Sequence, residues 1–365
     1  MLKHIIKKTL TNIRMSRAAK MSRSEKKKFS PLSQEERKLA RYLWGGVKLK
    51  NVNLKLYDKG YRIYKTLEGF DEKYCPNTIF EPYIVRALNL PVHVLALEHK
   101  AFLDVVFNGI KQPKTVLKKI NGVFFDKDKN IISLKDAFSI ISTHDTVCIK
   151  PTAFSAAGNG VKKLDCKGLT ISKFEEISKA YGENLIIQEI VKQSPKTAAL
   201  SSSSLNTFRV SSLFINGKCS VCTIMGRIGR GDSFVDNGAK GNYMVGVDPE
   251  GQFRDKAYDW SYQTYKSTDN GIKFSEVKIE EIKDLIKKVE HYHPQYLPNC
   301  GFCGWDFALD ENNEWNLIEV NLYAPGIEFE QICPGRSLFG ERTKEVIDYV
   351  NTHQPSLLAI TTSLG

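Results

Sequence analysis

Residues 304–321 read Gly-Trp-Asp306-Phe-Ala-Leu-Asp310-Glu-Asn-Asn-Glu314-Trp-Asn-Leu-Ile-Glu319-Val-Asn321, two patterned runs around a polar centre. Asp310 to Glu314 holds no apolar residue and is turn chemistry. Before it, Trp305, Phe307 and Leu309 alternate with Asp306 and Ala308; after it, Ile318 and Val320 alternate with Leu317, Glu319 and Asn321. Period-two patterning on both sides predicts a hairpin. Pairing residue 308 with 317 sets 306 opposite 319, with Cβ atoms roughly 4.5–5.5 Å apart on one face. Asn321 falls on that face two residues further on, beside Leu317, and the opposite face is apolar. Two unpaired anions this close repel each other, and each is costly to desolvate. A hard divalent cation removes that cost, and all-oxygen donors suit Mg²⁺ or Mn²⁺. A merely exposed acidic hairpin leaves the apolar opposite face unexplained. Asp306, Glu319 and Asn321 are therefore read as metal ligands.

Working upstream, Val147-Cys-Ile-Lys150-Pro-Thr-Ala-Phe-Ser155-Ala-Ala-Gly158-Asn-Gly160-Val is a strand, a small-residue loop and a second strand. Lys150 ends an apolar strand, where a charge needs an anionic partner. Small side chains let backbone N–H groups approach phosphate oxygens. The loop opens into a strand and lacks Gly-Lys-Ser/Thr, so it is not a Walker A loop; alone it is a weak signal, since small residues in a turn are more often just a turn. Leu185-Ile-Ile-Gln188-Glu189-Ile190-Val191 is an apolar strand interrupted by two polar residues. Such a segment can offer peptide groups to an adenine edge, or simply be a core strand reaching the surface.

Around these motifs the pattern is coarse but readable. Ser33 caps a helix beginning at Gln34, and residues 34–110 read mostly helical. From 114 onward short strands alternate with helices: 115–120, 122–125, 146–150, 160–163 and 185–191 as strands, 134–141 and 173–181 as helices. Asn216-Gly217 between apolar runs marks a hairpin. Residues 279–290 read as an amphipathic helix and 342–350 as a closing one. The order indicates α+β or α/β with antiparallel hairpins.

Taken in series over roughly residues 95–335, these motifs resemble the ATP-grasp superfamily. The resemblance implies an α+β fold in which two subdomains grip ATP, here with a helical N-terminal region. It implies that Lys100, in Glu98-His-Lys-Ala-Phe, and Lys150 hold the phosphates. Ser155, Gly158 and Gly160 then belong to a lid over the triphosphate. Gln188, Glu189, Ile190 and Val191 become the hinge that reads adenine, and Asp306, Glu319 and Asn321 the metal triad. Leu205-Asn-Thr-Phe-Arg209-Val, Val235-Asp-Asn-Gly-Ala-Lys240-Gly, Gly304-Trp-Asp306 and Gln331 are similar to the sugar-transfer-associated ATP-grasp family, some of whose members carry the label "hexapeptide transferase". No hexapeptide repeat exists here. The lid has Ala-Ala-Gly-Asn-Gly where a denser glycine run is common, and the N-terminal region reads helical rather than Rossmann-like. The implied activity is ATP-dependent ligation: a carboxylate attacks the γ-phosphate, giving an acylphosphate and ADP, and an amine or sugar-linked acceptor displaces phosphate. Arg209 can stabilise the transferring phosphoryl group, while Arg227, Arg230 and Lys240 can receive an anionic substrate. For all four a solvated surface role is the competing reading.

Composition bounds the rest. The chain has 365 residues, 42% hydrophobic and 26% charged, with 25 Gly and 13 Pro, an ordinary globular makeup. No apolar run approaches the roughly 20 residues of a spanning helix. Residues 1–30 carry +9 of the net +12, so the body is nearly neutral. That argues against a nucleic-acid-binding protein. The arm's Leu2, Ile5, Ile6, Thr9, Leu10 and Ile13 recur at helical spacing among lysines, which suits either peripheral contact with an anionic membrane or a solvated tail. The eight cysteines include Cys219/Cys222 and Cys300/Cys303; free thiols in a reducing cytoplasm are preferred over zinc ligands. The expected organisation is a basic arm (1–30), a mostly helical region (31–113), a lid subdomain (114–190), a subdomain with the metal site (191–351) and a tail (352–365). The expected setting is cytoplasmic, at most peripheral on the inner face of a membrane. Rival functions are an ATP-grasp kinase or phosphotransferase and an anionic-surface or nucleic-acid binder.

Overall fold

Two antiparallel sheets carry the structure. The computed structural model describes residues 21–45, 47, 58–152, 160–231 and 241–353. Expectations placed on residues 1–20, on Ser155, Gly158 and Lys240, and on the tail beyond 353 lie outside the described residues. Strands β1 (Thr115–Ile120), β2 (Val123–Asp126), β3 (Ile131–Ile132), β4 (Thr146–Pro151), β5 (Lys162–Asp165) and β6 (Leu185–Gln188) form a sheet in the order β3-β2-β1-β6-β4-β5. A larger sheet follows from β7 (Thr207–Ile215), β8 (Lys218–Ile228), β9 (Tyr243–Val247), β10 (Phe253–Tyr258), β11 (Thr264–Tyr265), β12 (Phe302–Leu309) and β13 (Trp315–Asn321). Its order is β11-β10-β9-β8-β7-β12-β13. The expected α+β class, with two sheet-based subdomains and helices ahead of them, is the observed one.

The smaller sheet has its own core. Leu117, Val147, Ile149, Leu185 and Ile187 pack against Ala137, Ile141 and Phe174 of helices Leu134–Ile141 and Ile171–Ala180. Both helices start at caps readable in the chain: Ser133 in a capping box with Asp136, and Thr170 accepting from the Lys173 N–H.

The larger sheet is covered on both faces. Helix Ile282–Tyr296 lays Ile282, Leu285 and Val289 on the face built from Trp305, Phe307, Leu309 and Leu317. Against the other face pack Trp44, Tyr61, Tyr64 and Phe80 of the N-terminal helices, meeting Leu213, Met225 and Phe302. Gln331 ties the two together: its Oε1 accepts from the Cys75 N–H at 2.8 Å, and its Nε2 donates to the Cys75 carbonyl at 2.9 Å. Part of the basic arm belongs to this layer. Helix Arg23–Lys28 is capped by Ser22, Met21 and Phe29 are buried, and Lys28 Nζ donates to the Ser261 carbonyl at 2.6 Å. Residues 21–29 are thus folded onto the body and are not a solvated tail. Among the described residues no helix is long and apolar enough to cross a membrane.

Most boundaries shift by a residue or two from expectation, and three shifts have a local reason. The β7–β8 turn is as read, with Asn216 and Gly217 both left-handed (φ 52° and 73°). β6, however, ends at Gln188 rather than 191, because Glu189 N–H takes the Lys114 carbonyl and the chain then crosses to Asp310 at Gln193. β5 begins at Lys162 rather than 160, after a left-handed Gly160. The long helix begins at Ile282, not 279, since the Ile279 N–H is bonded to the Gly251 carbonyl. Cys300 and Cys303 lie in the core under the long helix, whereas Cys222 packs on the opposite face, so the two pairs cannot share one site. Burial pushes the Cys222 thiol up to about 12.

His293, within the long helix, is buried between Ser212 Oγ (2.7 Å) and the Cys300 carbonyl (2.9 Å). Burial pushes it down to about 4 from 6.5, so the unfolded chain binds the proton more readily between those values. Stability is full above about pH 6.5 and is lost as pH falls toward about 4. Urea unfolding should show His293 contributing a loss of about 2 kcal/mol between about pH 7 and pH 5, absent in His293→Gln. Identical pH slopes for the two chains would refute this.

Candidate active site

A cleft of about 390 Å³ lies between the sheets, in the size range of small-ligand sites. β4 and β6 contribute Cys148, Lys150 and Gln188; the larger sheet contributes Arg227, Asp306 and Glu319. Asp306 pairs with Glu319 across β12 and β13, and Gly304 with Asn321, as the sequence led us to expect. The route there differs. Ala308 pairs with Asn316, not with residue 317, and a bulge between Asp306 and Phe307 leaves Ile318 as the extra residue. Leu317 therefore turns to the apolar face beside Phe307, while Ile318 and Glu319 both line the cleft.

Neither carboxylate is unpaired. β7 neighbours β12 with Arg209 opposite Asp306. The Arg209 guanidinium grips Asp306 through Nε–Oδ1 and through Nη2–Oδ2 at 2.9 Å. Its Nη1 reaches Glu330 Oε1 at 3.2 Å, and Arg227 Nη1 adds a contact to Asp306 Oδ2 at 3.1 Å. Lys100 Nζ sits 2.9 Å from Glu319 Oε2. Burial works against ionising Asp306, but Arg209 and Arg227 outweigh it and hold the carboxyl well below its usual range. Glu330 is pushed up by burial, which Arg209 only partly offsets. The repulsion that seemed to require a metal is thus balanced by three protein cations. Arg209 and Arg227 are not solvated surface residues.

The donor set still suits a hard divalent cation. Among the described residues no three His, Cys, Asp or Glu side chains gather as a metal-holding group; here the oxygens are those of two carboxylates and one amide. Asn321 donates its Nδ2–H to Asp306 Oδ2 at 3.3 Å, and its Oδ1 has no partner among the described residues. Asp306, Glu319 and Asn321 would hold the ion, with Lys100 leaving Glu319.

Lys150 is different. It is 6% exposed, it lines the cleft, and among the described residues its ammonium has neither a hydrogen-bond nor an ion-pair partner. Burial pushes it below the usual lysine range, and Lys100 adds to that effect. An unpaired buried cation facing a cleft is a site awaiting an anion. Lys100 N–H is anchored to the Thr152 carbonyl at 2.9 Å, which brings the two lysines into one cleft wall.

The crossing from Gln188 to Gln193 lines the same cleft. Glu189 is held by Lys114 at 3.6 Å, and the peptide groups of Ile190 and Val191 take no backbone partner among the described residues. Gly160, expected to belong to a lid, accepts from the Tyr181 hydroxyl at 2.6 Å and is not part of the cleft lining. Arg230 also stands apart, stacked 4.6 Å from the Tyr265 ring and close to Asp269. The sequence reading missed Ser202, Ser203 and Ser204 as lining residues. Gln193 donates to the Ser201 and Ser204 carbonyls, both at 2.9 Å, and so folds this loop over the cleft. Its signal was a four-serine run just after the crossing.

A family model for sugar-transfer associated ATP-grasp proteins matches residues 81–347. The chain belongs to that family. Among solved structures, this ATP-grasp chain is similar to D-alanyl-alanine synthetase A from Vibrio cholerae O1 biovar eltor, at 15% identity and TM-score 0.41, covering 75% of this chain and 66% of that one. It is similar also to the ATP-grasp ligase PsnB complexed with minimal precursor, Mg and ADP, at 11% identity and TM-score 0.42, over 72% and 62% of the two chains. The L-amino acid ligase from Bacillus licheniformis is matched at 14% identity and TM-score 0.35, over 62% and 40%. This ATP-grasp chain spans just under two thirds of the first two and less of the third. No curated protein matches it.

Proposed function

We propose that the cleft binds ATP with Mg²⁺ or Mn²⁺ and that the chain joins a carboxylate to an amine or sugar-linked acceptor through an acylphosphate. The observation that carries this reading is the buried Lys150 ammonium, without a partner among the described residues, in a cleft that also holds Asp306 and Glu319. In this reading Lys150 and Lys100 hold phosphate oxygens, and the peptide groups of Ile190 and Val191 meet the base edge. The metal supplies charge neutralisation at the phosphates. Phosphoryl transfer asks mainly for positioning and charge stabilisation, which this constellation offers. Arg227, on the cleft wall, is the better candidate to meet a substrate anion; Arg209 holds Asp306 in place. Family membership favours a role in surface-polysaccharide or sugar-conjugate synthesis, in the cytoplasm or at its membrane face, with the carboxylate drawn from amino acids or acidic sugars.

The test is ADP release screened against amino acids and uronic or sialic-type sugars, with hydroxylamine present. Hydroxamate that depends on both ATP and a carboxylate is the expected result. ADP release that yields a stable phosphate ester and no hydroxamate would replace the ligase with a phosphotransferase.

A further inference from the structure

The cleft holds more cation than anion before any ligand arrives. Lys100, Lys150 and Arg227 line it against Asp306 and Glu319, and Arg209 stands behind Asp306, shared with Glu330. Both carboxylates that would coordinate a metal are already satisfied. Asp306 has a guanidinium on each oxygen, and Glu319 Oε2 has the Lys100 ammonium at 2.9 Å. A free divalent cation would meet net repulsion and would have to displace an ammonium from Glu319. A polyphosphate reverses both conditions, because it brings several negative charges and offers Lys100 a new partner.

Lys100 is also placed to make that exchange. Its side chain is 13% exposed and that of Glu319 27%, so the pair lies at the cleft wall and not in the core. Its backbone is held on the smaller sheet by the Thr152 carbonyl. The carboxylate of the neighbouring Glu98 accepts from the Tyr323 N–H at 2.7 Å, just beyond the end of β13. With the Lys100 N–H held by Thr152 and the Glu98 carboxylate tethered next to it, a rotamer change of Lys100 suffices to leave Glu319. We infer that the Lys100–Glu319 ion pair is an interlock: Lys100 occupies the cation's place until nucleotide phosphates draw it away, so divalent cation binds only with or after the nucleotide. This rests on the ATP reading proposed above. By linkage, nucleotide and cation then strengthen each other by the same factor.

The experiment is Mn²⁺ binding to the full chain, read by electron paramagnetic resonance of the free ion, with and without ADP, after subtracting the Mn²⁺ that ADP alone holds in a protein-free control. The wild type is expected to bind Mn²⁺ at least about tenfold more tightly with ADP present. Lys100→Gln should bind Mn²⁺ about tenfold more tightly than the wild type without ADP, and lose most of the ADP dependence. Lys100→Arg, which keeps the positive charge, should behave as the wild type, and Glu319→Gln should bind no Mn²⁺ in either condition. Circular dichroism melts establish that each variant is folded. A wild type that takes Mn²⁺ equally well alone, or a folded Lys100→Gln with unchanged ADP-free affinity, overturns the interlock and leaves the ATP reading standing. A wild type that binds no adenine nucleotide by calorimetry overturns both.

Discussion

Lys150→Met should make the chain more stable and a poorer catalyst at the same time. The two effects have one cause. In the free protein the Lys150 ammonium is buried without a partner among the described residues, and its desolvation is a standing cost to the fold. A methionine of similar length removes that cost, as apolar replacements of poorly compensated buried charges often do. In the ATP reading proposed above the same ammonium is the phosphate contact, and its loss should lower turnover by roughly 10²–10³-fold, the scale seen when one transition-state donor is removed. Thermal melts without nucleotide and kcat with saturating ATP read the two effects separately. A variant that melts lower and turns over normally would show that Lys150 serves the fold and not the ligand.

Arg209→Leu should act in the opposite sense on stability. It strands the buried Glu330 carboxylate and leaves buried Asp306 with Arg227 as its one remaining cationic contact among the described residues. Removing one partner of a buried ion pair costs about 3–5 kcal/mol, measurable by urea unfolding at neutral pH. The carboxylates dictate the pH dependence. Asp306 is held below its usual value, so its ion pairing stabilises the fold above that value and is lost as pH falls through the lowered one. Glu330 is raised, so its charged form costs stability above its raised value, and that cost disappears on protonation. The deficit of Arg209→Leu should therefore shrink toward acid pH, and it should shrink at neutral pH when Asp306→Asn and Glu330→Gln are added. A loss within about 1 kcal/mol would mean that solvent reaches this network.

The hairpin at 304–321 shows what a sequence can and cannot convey. Alternation put Asp306 opposite Glu319, because a buried apolar face penalises any other register. It could not announce the bulge at Ile318, since an extra residue leaves the apolar count of each strand unchanged; that is why Leu317 was assigned to the wrong face. Arg209 was legible as a residue of interest and illegible as the partner of Asp306. That contact joins strands 97 positions apart in the chain, and only the order of the sheet makes them neighbours. The same gap explains the metal argument, which compared two bare anions with a cation and had no access to Lys100, Arg209 or Arg227 as competitors. Lys150 was read more securely, because an ionisable side chain closing an apolar strand is a local anomaly that needs no tertiary knowledge.

The sharing of one sheet between early and late parts of the chain has a consequence for how the protein is made. Trp44, Tyr61, Tyr64 and Phe80 are synthesised first, yet the surface that buries them includes Phe302 and is closed by Gln331. A nascent chain therefore carries these aromatic side chains without their native partner until translation is nearly complete. Meanwhile the smaller sheet, whose core is drawn wholly from residues 116–187, can close on its own in mid-synthesis. The middle of the polypeptide is thus the first part able to finish folding, and its first helices are among the last.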